Sequence, residues 1–269
     1  MLTRALEELD PELWASGHLC PPERAVMLTA TSKRVRALLV YMNLHLPTSV
    51  SVHRAMGTFA TTLPRLCAWC RVVSLDMSGC GLGIEGAAAL PVALEMCTSL
   101  TSLNLENNRI APTGATSVAR VLRHSPSLTR LDLYDNFLGA AGASSVAGAL
   151  SQCPSLASLF LGSNRLGDRG TASVAAALAQ CPSLASLNLF NNRIGDDGAE
   201  SLAGALWQCS SLTLLSLRGN DIRSTGAASL VRGVQQCPGR VVLNMSENSL
   251  SHASMRRLEQ CSSLRTLIL

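Results

Sequence analysis

Leu184-Ala-Ser-Leu187-Asn-Leu189-Phe190-Asn-Asn192-Arg-Ile194 is one statement of a phrase that this chain repeats. Leu100-Thr-Ser-Leu103-Asn-Leu105-Glu106-Asn-Asn108-Arg-Ile110 is another. The opening leucine returns every 28 residues, at Leu100, Leu128, Leu156, Leu184 and Leu212. A fixed period over most of a chain marks a stack of like units and not a single compact core. Within each unit, alternation predicts a short strand with Leu103 and Leu105, or Leu187 and Leu189, facing inward. The asparagine that follows (Asn108, Asn136, Asn164, Asn192, Asn220, Asn248) stands where the chain turns away, and its amide can satisfy backbone groups left by the turn. A glycine comes next at a fixed place, expected in a loop: Gly86, Gly114, Gly142, Gly170, Gly198, Gly226. Apolar residues then switch to helical spacing, as in Ala143, Val146, Ala147, Leu150 and Ala199, Leu202, Ala203, Leu206.

One strand and one antiparallel helix per unit predict an α/β solenoid. Helices are wider than strands, so stacking them on one side bends the array. Parallel strands then line the concave face and helices the convex face. A lone unit buries too few leucines to offset the entropy of ordering its own backbone, so stacking makes the fold. The series runs over residues 72–269 as seven units and a truncated last one, from Val72-Val-Ser-Leu75-Asp-Met77 to Leu264-Arg-Thr-Leu267-Ile-Leu269. Cys80 replaces the asparagine of the first unit. Pro91 falls inside the first helical pattern, which predicts a late start or a kink. The last spacing is shortened, and the chain stops in an apolar strand without a polar cap, an edge left for a partner or for further chain.

These motifs and the even period resemble ribonuclease-inhibitor-type leucine-rich repeats, and most closely those of NOD-like receptors and Ran GTPase-activating proteins. The resemblance implies a curved array that binds protein. Residues 1–45 carry a different text. Leu9-Asp-Pro11-Glu12-Leu13, then Leu19-Cys-Pro21-Pro22-Glu23-Arg24-Ala-Val-Met-Leu28, then Ser32-Lys33-Arg34-Val35 resembles an F-box. Asp10, Ser32 and Val35 stand where that family has proline, cysteine and tryptophan, and the first segment is one residue short. The resemblance implies a helical module that docks on the adaptor of a cullin-RING ubiquitin ligase through Pro11, Leu13, Leu19, Pro21, Pro22 and Leu28. The alternative is a small helical N-terminal cap shielding the first repeat. Residues 46–71, with a helical run from Val50 to Leu66 behind Tyr41-Met-Asn-Leu44-His-Leu46, form a degenerate capping repeat.

Composition narrows the function. The net charge is +4, with 22 basic residues of which Lys33 is the sole lysine. They are scattered without a stripe, which argues against nucleic acid as a partner. No run approaches the length of a membrane span. Acidic residues in Met1-Leu-Thr-Arg-Ala-Leu-Glu-Glu-Leu-Asp10 are unlike a secretory signal. The expectation is a cytoplasmic chain, with the nucleus as the alternative, whose ten cysteines are reduced thiols. No nucleophile–base pairing or phosphate loop recurs, so neither an enzyme, a cofactor nor a small-molecule substrate is expected. Cys67-Ala-Trp-Cys70, with His53 and Cys80, lacks the second tight pair of a zinc site.

Aromatic placement gives the candidate site. Tyr134, Phe160 and Phe190 fall between or just after inward leucines on three consecutive strands, and so face the concave side. Glu106, Arg130, Asp132, Asn188, Leu214 and Arg218 hold equivalent outward positions around them. Aromatics beside arginine with a polar rim have the composition of a protein-binding hot spot. The leading specific reading is a substrate receptor of a cullin-type ligase. Its rivals are a GTPase-activating protein and an innate-sensor-type regulator. A second pattern is a ladder of thiols, Cys97, Cys153, Cys181, Cys209 and Cys237, with Ser125 in the sixth slot. Two readings stand: a redox switch between neighbouring repeats, or small apolar side chains where bulk does not fit.

Overall fold

The computed structural model describes residues 25–29, 47–53, 71–260 and 267–269. Among them, one open sheet holds ten parallel strands in chain order. They are β1 (Ala25–Thr29), β2 (Pro47–His53), β3 (Arg71–Asp76), β4 (Ser102–Asn104) and β5 (Arg130–Asp132). After them come β6 (Ser158–Phe160), β7 (Ser186–Asn188), β8 (Leu214–Ser216), β9 (Val242–Asn244) and β10 (Leu267–Ile268). From β3 onward a helix follows each strand up to β9: α1 (Gly83–Leu94), α2 (Ala111–Arg123), α3 (Gly139–Ala147), α4 (Gly167–Ala177), α5 (Asp196–Ala205), α6 (Ser224–Gln236) and α7 (His252–Gln260). Short 3-10 turns follow α3, α4 and α5. Each helix packs on its sequence neighbours, as a stack requires.

The register carries the period directly. Leu103 pairs with Leu131, Leu131 with Leu159, Leu159 with Leu187, Leu187 with Leu215 and Leu215 with Leu243. All six are fully buried, and they share one continuous core with Leu105, Leu133, Leu161, Leu189 and the alanines of the helices. Leu100, Leu128, Leu156, Leu184 and Leu212 close the same interior from below.

The asparagines form a ladder that runs along the stack. Asn164 donates through Nδ2 to the carbonyls of Leu133, Leu161 and Gly162 at 2.7, 3.0 and 3.0 Å. Its Oδ1 accepts from the N–H of Asn136 and of Leu138, at 2.9 and 3.3 Å, in the previous repeat. Asn136 and Asn192 repeat the pattern. The reason so demanding a side chain is needed lies beside it. Residues on both sides of Asn108, Asn136, Asn164 and Asn192 adopt left-handed backbone, as with Ser163 (φ 56) and Arg165 (φ 58). That conformation turns backbone groups away from local partners and costs non-glycine residues about 1 kcal/mol or more. The ladder bonds hold the turn in place against that cost.

Four expectations are corrected. The repeating glycine lies inside the first turn of its helix and not in the loop. A Cβ on Gly114 would sit 2.9 Å from Ala87 Cβ, and one on Gly226 would sit 2.9 Å from Ala199 Cβ, so the glycine lets successive helices touch. Second, α1 runs without a late start from Gly83 through Pro91 to Leu94. Proline deletes only one donor, and burial of Ala87, Leu90, Ala93 and Leu94 holds the helix across it. Third, strand appears where helix is expected near the N-terminus. Ala25–Thr29, including Leu28, pairs with β2 in parallel, and β2 itself overlaps the start of the helical run expected from Val50. A short apolar run has no period to separate helix from strand, and the free edge of β3 supplies ladder bonds to whatever lies beside it. Fourth, Cys97 is disulfide-bonded, unlike the reduced thiol expected. It occupies the first rung, at the N-terminal end of the regular repeats. The remaining adaptor-binding candidates, Pro11, Leu13, Leu19, Pro21 and Pro22, lie outside the described residues. So do Cys67 and Cys70.

Helix capping also crosses repeats. Asp168, in the first turn of α4, accepts from the N–H groups of Gly195 and Gly198 at 2.7 and 3.0 Å. Asp196, in α5, does the same for Arg223 and Gly226 at 2.8 and 2.9 Å. Each aspartate satisfies orphan donors at the start of the next helix, which has no capping side chain of its own.

The inner thiols act as packing groups. Cys153, Cys181, Cys209 and Cys237 are buried free thiols. Cys153 donates to the carbonyls of Leu122 and Ser125, and Cys237 to that of Cys209. Burial pushes Cys153, Cys181 and Cys209 from an ordinary thiol value of 9.0 up to about 11, which disfavours the reactive thiolate. Maleimide at neutral pH is therefore expected to leave these three unlabelled in native protein and to label them after unfolding. Between pH 9 and about 11 the unfolded chain releases thiol protons that the fold retains, so stability should fall as pH rises through that window. Labelling of native protein at the unfolded rate would revive the redox switch.

Candidate functional site

Because strand side chains alternate, the residues flanking each inward leucine form rows across the concave face. The first row reads Ser102, Arg130, Ser158, Ser186, Leu214, and the second Asn104, Asp132, Phe160, Asn188, Ser216. A third row lies just beyond the strands: Glu106, Tyr134, Gly162, Phe190, Arg218. Backbone bonds keep it aligned, from Asn107 N–H to Tyr134 O, Asp135 to Gly162, Ser163 to Phe190 and Asn191 to Arg218, all between 2.8 and 3.0 Å.

The expected site residues therefore share one surface, but in distinct roles. Tyr134, Phe160, Phe190, Glu106 and Asn188 are half-buried, and Arg130, Leu214 and Arg218 are exposed. Asp132 is buried; it accepts from Tyr134 N–H at 3.1 Å and from Arg130 at 3.2 Å, so it positions its neighbours more than it meets solvent. The Arg130 guanidinium lies 4.1 Å from the centroid of the Phe160 ring, and that of Arg218 lies 5.6 Å from Phe190. Arg218 is also paired with Glu247.

Tyr134 and Phe190 stand two strands apart, roughly 9–10 Å between backbones, yet their rings stack with centroids 6.4 Å apart and planes within 8°. Gly162 makes this contact available. A Cβ there would lie 2.7 Å from Tyr134 Cδ2 and Cε2, so any side chain would displace the tyrosine ring. Sequence reasoning singles out the aromatics but misses the glycine between them. Its signal was present: Gly162 is the one residue of the row without a side chain.

Electrostatically the N-terminal half of this face is acidic. Burial, then the charges of Asp132, Asp76 and Asp135, raise the Glu106 carboxyl above its usual range. Burial raises Asp132 too, against the lowering effects of the Tyr134 N–H and Arg130.

A second feature is a short series of equivalent arginines. Arg109, Arg165 and Arg193 occupy the same repeat position, directly after the ladder asparagine, with Phe137 in the intervening slot. All four are exposed with left-handed backbone, and the Arg165 guanidinium lies 4.8 Å from the Phe137 ring centroid. Among the described residues no group of histidine, cysteine and carboxylate side chains could hold a metal, and no helix is long and apolar enough to cross a membrane.

A family model described as leucine-rich repeat matches five stretches, residues 72–90, 97–119, 124–147, 180–203 and 208–231. The chain carries leucine-rich repeats, and its fold is the α/β solenoid they build. The unmatched stretch between the third and fourth contains β6, Asn164 and α4 in the same arrangement. A comparison with curated protein sequences finds no match. A solved structure of leiomodin-1 actin-binding site 2 (ABS2) is similar at 15% identity, with a TM-score of 0.44, over 56% of this chain and 86% of that one.

Proposed function

We propose that this chain is a non-enzymatic interaction scaffold that holds a protein partner on its concave face, centred on Phe160. The observation that carries this is the half-buried aromatic set Tyr134, Phe160 and Phe190. These rings lie on three consecutive repeats, Phe160 in the second row and Tyr134 and Phe190 in the third, and are flanked by Arg130 and Arg218. A solenoid core built almost wholly of leucine and alanine leaves the rings no structural duty there. The even 28-residue period supports placing the repeats in the ribonuclease-inhibitor type. Affinity capture from extract of the chain's own cells tests the site. Replacing Phe160 and Phe190 together by alanine should weaken capture by at least about tenfold with an unchanged melting temperature. A large loss of stability instead would mean that the rings are core.

The finer reading is a substrate receptor of a cullin-RING ligase, supported by the F-box-like text around Pro11, Leu13, Leu19, Pro21 and Pro22. The strand at Ala25–Thr29 weighs against a helical module at that point. The 269-residue chain is expected to bind the ligase adaptor at micromolar concentration, and Leu13→Asp to abolish it. Failure of the unaltered chain to bind would reject the receptor role and leave the concave site standing.

A further inference from the structure

We infer that the partner seated on this face is a cationic protein segment, and that Tyr134 beside Glu106 and Asp135 receives one of its arginine or lysine side chains. The inference rests on the concave-face reading above and adds the chemistry of the occupant. The chain as a whole is basic, at +4, but its concave face is not. Among the described side chains on β3 to β5, the outward positions and the residues just beyond them hold Asp76, Glu106, Asp132 and Asp135 against Arg130. Arg130 is already spent on Asp132 and Phe160. The rows of β6 and β7 carry no charge, and at β8 and β9 Arg218 is paired with Glu247. At the end of the strip where Tyr134 stands, acidic side chains on these rows therefore outnumber basic ones.

The rings themselves indicate what they accept. Arg130 over Phe160 and Arg218 over Phe190 show two of the three taking a guanidinium at 4.1 and 5.6 Å. Among the described residues no cation lies over Tyr134, although its strand neighbours supply Glu106 and its own chain Asp135. A ring face and two nearby carboxylates form a receptor for a cation, by ring quadrupole and by Coulomb attraction together. Glu106 already bears the repulsion of Asp132, Asp76 and Asp135, which an arriving cation would relieve. Gly162 is the positioning residue, since it alone lets Tyr134 lie flat toward Phe190.

Fluorescence anisotropy with short labelled peptides tests this: arginine–leucine–serine repeats, and the same peptide with glutamate replacing arginine. The arginine peptide should bind at least about tenfold tighter, with affinity falling as salt rises. Glu106→Gln with Asp135→Asn should remove most of that preference and flatten the salt dependence. Gly162→Val should weaken binding without lowering the melting temperature. Absence of arginine-peptide binding, or equal binding of both peptides, overturns the inference. If equal binding is lost in the Phe160→Ala, Phe190→Ala variant, the concave site survives and only the charge assignment falls. Binding insensitive to every one of these substitutions would overturn both.

Discussion

Asn164→Ala is expected to cost about 3–5 kcal/mol of stability, a large loss for a side chain of this size. The substitution removes little apolar contact, so the effect comes from the bonds it strands. Leu161 O and Gly162 O keep other donors, Asn192 Nδ2 and Asp135 N–H respectively. The N–H groups of Asn136 and Leu138 and the carbonyl of Leu133 lose theirs in a buried environment. Three orphaned groups at about 1–3 kcal/mol each set the scale. Asn248 makes equivalent bonds but is only half-buried, so water can replace them, and Asn248→Ala should cost less than about 2 kcal/mol. Urea denaturation of both variants checks the ordering. A loss below about 1 kcal/mol at Asn164 would mean that the turns are held by something other than the ladder.

The inward leucines and the asparagines were legible because a linear period of 28 maps onto a stacked array one unit at a time. Leu103, Leu131 and Leu159 occupy the same place in successive copies, so one correct reading fixes them all. What escaped falls into two kinds. Local conformation was hidden: nothing in Ser163 or Arg165 announces left-handed backbone, because it is imposed by Asn164. Contacts between copies were hidden as well. Asp168 caps the next repeat's helix, and Tyr134 reaches across Gly162 to Phe190. Such pairs are near in space at about one or two periods in sequence, a distance at which propensity rules are silent. The arginine series was legible in principle, since Arg109, Arg165 and Arg193 are spaced by whole periods. The strands β1 and β2 break the period, so their place in the sheet had no pattern to predict it.

Contact between copies also sets the sign of the second large effect. In an isolated helix, glycine to alanine stabilises by about 0.8–1 kcal/mol, because alanine restricts the unfolded chain and shields the backbone. Gly204, in α5, should follow that rule: nothing lies within 4 Å of the Cβ it would acquire. Gly233, in the interior of α6, should reverse it. There the new Cβ would lie 2.6 Å from Ala203 O and 2.8 Å from Ala203 Cα. These are backbone atoms, which no rotamer change moves, so α5 and α6 must separate. Overpacking of that kind costs about 1–3 kcal/mol, and it falls on an interface that the neighbouring repeats depend on. Gly233→Ala is therefore expected to lose about 2 kcal/mol while Gly204→Ala gains up to about 1, a divergence of about 3 kcal/mol between identical substitutions in adjacent helices. Thermal melts should show it as a Tm difference of several degrees, with a broader transition for Gly233→Ala as the C-terminal repeats uncouple. Equal shifts in the same direction would mean that helix spacing here is set by something other than the missing side chain.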